Sequence, residues 1–212
     1  VIYYLGPPVT LLSYQDNSLI ACSGLLNKTA TALAIFGQYI LQCFYPFVLS
    51  YDYSFNQIPC STIADIQVWG SILFLIGLLY LVWIFWKLKP VISFGILFFL
   101  LSFSLSSNLI ITIGTTRADR LLFTPLLGIV ITFTYFLFQF TKFSTARYIC
   151  LITAVIYGAK TFSRNKDWKS NDTLFEADVN TSPKSNRVNY NYATSLLNNL
   201  PVDEIQKQNR LN

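Results

Sequence analysis

Long uncharged apolar runs alternate with short polar segments over the first 162 residues of the chain. A helix rises about 1.5 Å per residue, so a run of about 20 apolar residues can cross the ~30 Å hydrocarbon core of a bilayer. The first run contains Gln38, Gln42 and Pro46, which also allows it to lie partly in the interface. The fifth is short, and requires Arg147 and Lys160 to extend towards the two surfaces. The pattern predicts about five transmembrane helices, at residues 29–49, 66–86, 91–107, 121–140 and 143–162.

From residue 163 onward the chain becomes polar, so we divide it into a membrane domain, residues 1–162, and a tail, residues 163–212. Asn171 or Asp172 is expected to cap a first tail helix, and a second helix is expected between Pro183 and about Asn198. The second helix carries apolar residues at helical spacing, which predicts a face that a following helix covers. These residues are Val188, Tyr192, Ala193 and Leu196.

The composition indicates an all-α integral membrane protein. Hydrophobic residues make up 53% of the chain and charged residues only 12%, which lies outside the usual globular range. The chain has no His, which excludes imidazole base chemistry and histidine metal sites within it. The four cysteines, Cys22, Cys43, Cys60 and Cys150, lack the paired spacing of a zinc site or a redox motif. No metal or cofactor is expected.

Two features of the chain ends lead us to expect a fragment of a longer protein. There is no Met, and residues 1–12 read as the remainder of an apolar segment broken at Gly6-Pro7-Pro8. The polar residues 201–212 are expected to fray.

The basic residues predict an orientation in the membrane. The net charge of +5 lies mostly beside the apolar runs and in the tail, which fits membrane topology better than nucleic-acid binding. If the turn at Lys87 and Lys89 is cytoplasmic, alternation of five spans places Lys28, Lys142 and Arg147 on that side too. The loop at Asp52, the segment 117–120 and the tail are then extracytoplasmic.

Arg117, Asp119 and Arg120 stand between two long apolar runs and are the best candidate site residues. Charges pressed against a membrane helix usually face water, a cavity or a polar ligand. Asp52, between two tyrosines, is predicted on the same side. Arginine donates bidentate hydrogen bonds to phosphate, so these residues suit a phosphate-bearing lipid. The plainer interpretation is a short loop in which Arg and Asp pair with each other, while Asp52 caps a turn and the tyrosines anchor at the interface.

Several motifs in order resemble the transmembrane and tetratricopeptide-repeat protein O-mannosyltransferases and their bacterial relatives. Asp16-Asn17-Ser18 resembles a DNP motif with Ser in place of Pro, and residues 46–54, PFVLSYDYS, resemble P-x-x-L-S-x-D-Y-S. Ser107-Asn108 precedes residues 118–125, ADRLLFTP, which resemble A-E-R-x-L-Y-x-P with Asp for Glu and Phe for Tyr. The tail adds an R-x-x-x-W match and residues like the start of a repeat, namely Arg164 with Trp168, then Asn191, Ala193 and Leu196.

The resemblance implies the C-terminal membrane half of a GT-C type glycosyltransferase, followed by the start of a helical repeat region. Such enzymes move a sugar, here mannose, from a polyprenyl-phosphate donor to Ser or Thr hydroxyls of an acceptor protein. The reaction takes place outside the cytoplasm, in a bacterial inner membrane or the endoplasmic reticulum. The family's catalytic carboxylates lie in an upstream loop, so this fragment alone is expected to be inactive. Arg120, then Arg117, would contact the lipid phosphate, with Asp119 orienting the arginine and Asp52 shaping the site.

Two other functions remain open on the sequence. The spans could serve only to anchor a repeat scaffold that binds partner proteins. Alternatively, the chain could belong to a polysaccharide-lipid ligase or a flippase-like protein, which shares aromatic spans and extracytoplasmic basic residues. A scaffold should tolerate the replacement of Arg120 by Ala. A ligase should use an oligosaccharide-lipid donor and a non-protein acceptor, whereas the transferase should consume a monosaccharide-lipid.

Overall fold

All the regular structure within residues 12–199, the part of the chain that the computed structural model describes, is helical. Apart from one 3₁₀ turn at Asp119–Leu122, the helices are α1 Ser18–Ala21, α2 Gly24–Phe44, α3 Ile66–Leu88, α4 Pro90–Ser104, α5 Phe123–Phe140, α6 Phe143–Asp167, α7 Asn171–Thr181 and α8 Asn186–Asn198. The predicted apolar remainder at residues 1–11 and the predicted fraying of residues 201–212 lie outside the described residues.

Two apolar stretches within the described part of the chain are long enough to cross a membrane. They are α3 and the continuous stretch Asp119–Phe140, which joins the 3₁₀ turn to α5; α4 is shorter but also apolar. These helices indicate a membrane protein. α4 and α5 pack closely where Gly95 meets Gly128, since a Cβ built on Gly95 would lie 2.7 Å from the Gly128 carbonyl oxygen. Small residues at such contacts let membrane helices approach each other.

Several helix bounds differ from those predicted. α2 covers Gly24–Phe44 rather than residues 29–49, because Tyr45 precedes Pro46 and a residue before proline is driven out of the helical region. α4 ends at Ser104, before the predicted position 107. α6 continues to Asp167, so a helix crosses the predicted domain boundary at residue 162.

The segment after α2 doubles back along that helix. A disulfide joins Cys22, just before α2, to Cys60. The Ser61 backbone N–H also donates to the Thr31 hydroxyl, at 2.9 Å. Lys28 therefore lies near the segment that contains Asp52, and its predicted separation from that segment is wrong. Alternation failed because it treated α2 as a helix that separates its two flanking loops.

The tail forms a helical hairpin that packs on the segment after α2. Ser170 caps α7 in a capping box with Thr173, so the predicted cap at Asn171 or Asp172 is wrong by one or two residues. Val188 of α8 is buried with Leu174 of α7 and with Tyr51. Leu196, expected on the same covered face, is about half exposed. Among the described residues, the buried part of this face contacts the preceding helix α7 and the loop at Tyr51; the predicted following helix falls on residues outside the described part of the chain.

Four segments meet at one end of the helices and form what we call the polar junction: residues 13–23, 45–65 and 105–122, and the α7–α8 hairpin. Side-chain hydrogen bonds link them across the sequence, including Asn17–Asn108, Asp52–Thr115 and Ser54–Ser185. At the other end, the Lys89 ammonium donates to Gln139, which brings the α3–α4 turn beside the end of α5.

Candidate functional site

The segment that carries Arg117, Asp119 and Arg120 is fixed to α2 through its backbone. The buried Tyr39 hydroxyl accepts from the Ala118 N–H at 2.9 Å and donates to the Ala118 carbonyl at 3.1 Å. The Tyr53 N–H donates to the Arg117 carbonyl at 2.9 Å. These hydrogen bonds hold the backbone of residues 117 and 118 against α2 and the segment that follows it. The fold therefore fixes the position from which each charged side chain extends.

Arg117 is largely enclosed by polar and aromatic groups. Its guanidinium donates to Gln38 at 3.0 Å and to Gln42 at 2.8 Å. It also lies over the Tyr53 ring, 4.4 Å from the ring centroid, in cation–π geometry. The Arg117 Nε–H has no hydrogen-bond acceptor among the described residues. The two glutamines of α2, noted as unusual in an apolar run, are therefore ligands of this arginine.

Asp119 is oriented by α2 and by the segment after it. Its carboxylate accepts from the Gln42 side-chain amide at 2.7 Å and from the Ser50 backbone N–H. The Arg117 guanidinium is 4.0 Å away. Arg117, Gln42 and Asp119 thus form one connected network, and the short-range pairing of Arg with Asp is only part of it.

Arg120 differs from Arg117 because it is exposed. One guanidinium N–H donates to the Tyr51 carbonyl at 2.9 Å. Among the described residues it makes no ion pair. A guanidinium that is anchored by one N–H and otherwise open to the surface can receive an anionic ligand.

Asp52 is fully buried, with 0% of its surface exposed. Its Oδ2 accepts from the Thr115 hydroxyl at 3.2 Å and from Arg187 at 3.0 Å. Its Oδ1 has no hydrogen-bond partner within residues 12–199. Burial raises the pKa of Asp52 above its ordinary value, although the Arg187 charge and the Thr115 hydroxyl oppose that rise. Asp52 does not contact Arg117 or Arg120 directly; it lies on the side of the junction that faces the tail.

Arg187 is a junction residue that sequence reasoning missed. It donates to Asp52, to Asp16 at 2.6 Å and to the Gly114 carbonyl at 3.1 Å. Burial lowers the pKa of Arg187, but the Asp52 and Asp16 charges outweigh burial and raise it overall. A lone basic residue in a polar tail gave no signal, because its partners precede it in the sequence by 135 and 171 residues.

Two of the recognised motifs meet at Asn17 and Asn108. The buried Asn17 amide donates to the Asn108 side-chain oxygen at 2.9 Å and to the Ile113 and Thr115 carbonyls. Asn108 has a φ of 57°, a left-handed conformation that asparagine tolerates better than most residues. Its amide in turn donates to the Thr115 and Thr116 carbonyls. The pair braces the polar segment that leads to Arg117.

The Cys22–Cys60 disulfide was also missed, since its two cysteines are 38 residues apart and show no motif spacing. Cys43 and Cys150 are free. Within the described residues, no group of three His, Cys, Asp or Glu side chains could hold a metal ion. The chemistry that this junction offers is therefore ionic and hydrogen-bonding: cations that can bind an anion, with carboxylates that orient them.

Comparison with curated proteins identifies relatives of the chain. It is 30% identical over 213 residues to the mouse protein O-mannosyl-transferase TMTC1, an alignment covering 92% of this chain. It is 28% identical to the human TMTC1 protein over 71% of the chain, and 27% identical to human protein O-mannosyl-transferase TMTC4 over 51%. The chain is homologous to the TMTC protein O-mannosyltransferases. The family resemblance predicted from the motifs is thereby confirmed.

These relatives are much longer than the chain, which spans 22% of the mouse TMTC1 protein and 18% of the human one. No protein-family model matches the chain. No solved structure matches it either. The homology therefore covers the membrane helices and tail together, and the junction described above is part of the region shared with the mouse protein.

Proposed function

We propose that the chain is part of a membrane glycosyltransferase of GT-C type, which transfers mannose from a polyprenyl-phosphate donor to Ser or Thr hydroxyls of proteins. In the transfer, the hydroxyl oxygen bonds to the sugar C1, the bond from C1 to the phosphate oxygen breaks, and a base takes the hydroxyl proton. The departing polyprenyl phosphate carries the negative charge. We assign no catalytic base to this chain and propose that it lies elsewhere in the full-length protein. The relatives named O-mannosyl-transferases support this reaction.

The observation that carries the proposal is the exposed Arg120 at the start of an apolar helix. Its anchored guanidinium is placed at the boundary between the polar junction and the membrane helix that follows. A lipid phosphate occupies the same boundary, and a fixed cation there stabilises the charge that develops on the leaving phosphate. Arg117 and Asp119 support this end of the site, and Asp52 shapes the side facing the tail.

The disulfide bears on which side of the membrane the junction faces. Disulfides persist in oxidising compartments such as the periplasm and the endoplasmic reticulum lumen. Cys22 and Cys60 both belong to the polar junction. We propose that the junction and the tail are extracytoplasmic, that helices α3 to α6 cross the membrane, and that the α7–α8 hairpin begins a tetratricopeptide-repeat region.

The test is transfer of labelled mannose by the full-length protein in membranes. Arg120→Ala is compared with wild type and with Arg147→Ala, which removes another exposed arginine at the other end of the membrane helices. Arg120→Ala is expected to lower kcat by about 100-fold, as for loss of a group that stabilises transition-state charge, and Arg147→Ala to leave it unchanged. Full activity in Arg120→Ala refutes the role of Arg120. No transfer by wild type from a panel of sugar-lipid donors favours the scaffold or ligase functions instead.

A further inference from the structure

Tyr51 connects the tail to Arg120, and we infer that Asp178 of α7 is a positioning residue that acts on Arg120 through Tyr51. Asp178 fixes the backbone of Tyr51, whose carbonyl oxygen accepts from the Arg120 guanidinium at 2.9 Å. The inference rests on the proposed function, because it concerns the placement of the cation that faces the leaving phosphate. It also gives the tail a part in the transfer step.

The tail holds Tyr51 by three of its parts. The Tyr51 backbone N–H donates to Asp178 Oδ2 at 2.7 Å. Its side chain is buried with Leu174 of α7 and Val188 of α8. Its hydroxyl accepts from the Asn191 side-chain amide at 2.7 Å. Because both the backbone and the side chain of Tyr51 are fixed in this way, the tail sets the direction in which the Tyr51 carbonyl oxygen points.

Asp178 is itself held in one orientation. It is fully buried, with 0% of its surface exposed, and its Oδ1 accepts from the Arg164 guanidinium at 2.6 Å. Arg164 also donates to Asp167 at 3.0 Å. A buried carboxylate requires a counter-charge and hydrogen-bond donors, and Arg164 supplies both. Arg164 is the arginine of the R-x-x-x-W match, so its role in this fold is to keep Asp178 Oδ2 directed at Tyr51.

A neighbouring contact offers a simpler explanation for the position of Tyr51. The Ser50 backbone N–H donates to Asp119, which precedes Arg120 in the sequence. That hydrogen bond orients the peptide group that precedes Ser50. The next peptide group, whose N–H belongs to Tyr51, is oriented by Asp178. The carbonyl that accepts from Arg120 follows directly, so the structure favours control by Asp178 over control by Asp119 alone.

The test is Asp178→Asn in the full-length protein, a change that preserves side-chain volume. The amide has one acceptor oxygen, which the charged Arg164 should take because charge-assisted hydrogen bonds are the stronger ones. The amide NH₂ then faces the Tyr51 N–H, donor against donor, and that hydrogen bond is lost. The matched control is Asp167→Asn, which weakens the other contact of Arg164 and leaves the contact between Asp178 and Tyr51 in place.

Asp178→Asn is expected to lower kcat for mannose transfer by about tenfold at unchanged donor KM, the pattern of an interaction lost only in the transition state. Asp167→Asn should leave both constants unchanged. If Asp178 acts through Arg120, Asp178→Asn should lower kcat no further in the Arg120→Ala background. The same fractional loss in both backgrounds would mean a merely structural role and overturn the inference, as would a wild-type kcat in Asp178→Asn.

A second measurement follows Arg120 without relying on transfer. Phenylglyoxal adds across two guanidinium nitrogens, and the Tyr51 carbonyl engages one of those of Arg120. Its rate of reaction at Arg120, followed by peptide mass spectrometry, should rise several-fold in Asp178→Asn and stay unchanged in Asp167→Asn. The exposed Arg147 is the internal reference.

Each outcome of the labelling bears on a different point. An unchanged rate at Arg120 would overturn the inference. Equal acceleration at Arg120 and Arg147 would mean general loosening of the protein and would also overturn it. If the wild type transfers no sugar but Asp178→Asn still accelerates labelling at Arg120 alone, the proposed function fails while the placement of Arg120 by Asp178 stands.

Discussion

Arg187 of α8 donates a hydrogen bond to the buried Asp52 of the segment that follows α2, at 3.0 Å. The same guanidinium holds Asp16, so one residue of α8 ties two polar segments of the junction to the tail. Asp52 has no other cation in contact with it among the described residues. The hairpin is therefore part of the folded junction, and its position is coupled to the segment that leads to Arg117.

Loss of Arg187 should destabilise the junction strongly. Arg187→Ala leaves the Asp52 carboxylate buried without its ion-pair partner, which costs about 3 kcal/mol. Chemical unfolding in detergent, followed by tryptophan fluorescence, measures the change. Lys184→Ala, an exposed position beside α8, is the control and should be neutral. In the double variant Arg187→Ala with Asp52→Asn, the loss should be smaller than the sum of the two single losses; strict additivity would contradict the coupling.

Asn17 should be sensitive to replacement of its amide nitrogen by an oxygen. Asn17→Asp keeps an oxygen that can cap Leu19 but removes the amide that donates to Asn108, Ile113 and Thr115. Leaving buried acceptors without a donor costs about 2 kcal/mol. The free energy of unfolding of this variant should fall by that amount, while Asn27→Asp, whose amide reaches only the Ser23 hydroxyl, should stay near wild type. Equal effects at the two positions would count against a special role for Asn17.

The disulfide should determine when Cys22 and Cys60 react with alkylating agents. In the folded, unreduced full-length protein, Cys22 and Cys60 should resist alkylation and become labelled together after reduction. Cys22→Ser should expose Cys60 as a new reactive thiol without any reductant. Because the bond closes a loop of 38 residues, its loss should cost about 3–4 kcal/mol on the chain-entropy relation. Cys150→Ser is the control. Labelling of Cys22 without reduction would contradict both the bond and the proposed side of the membrane.

Asp52 should make the free energy of unfolding of the protein depend on pH. Its pKa is raised in the folded state by burial, so the folded protein holds this proton more tightly than the unfolded chain. As pH rises from about 3.9, the ordinary value for Asp, through the raised folded pKa, Asp52 therefore makes the free energy of unfolding fall. Asp52→Asn removes this contribution, so the Tm of the variant relative to wild type should rise with pH across that window. Glu176→Gln, at an exposed position, is the control. A relative Tm that falls with pH would mean that the ion pair with Arg187 outweighs burial.

The hydrophobic pattern alone predicted the helical character of the chain, because an uncharged run of membrane length has few stable alternatives to a helix. It located α3 and α5 to within a few residues of their ends. The change of composition after residue 162 predicted a polar helical tail, and the ordered motifs predicted the homology. Each of these depends on residues that are close in sequence.

The paths of α2 and of the loop that follows it could not be read from the sequence. α2 has the length of a span, yet the loop after it returns along the helix to form the Cys22–Cys60 bond. Hydropathy measures the transfer of a segment into an apolar environment; it carries no information on where the following loop turns. The same limit explains why Lys28 was placed away from Asp52.

The sequence by itself determined the class of protein and singled out Arg117, Asp119, Arg120 and Asp52 as charges that need an explanation. The tertiary structure alone decided that Arg117 is enclosed by two glutamines, that Arg120 is exposed, and that Asp52 pairs with Arg187. The physical reason is that a buried charge must find its hydrogen-bond partners wherever the fold brings them. For Asp52, that partner lies 135 residues along the chain, a distance over which local pattern and propensity carry no information.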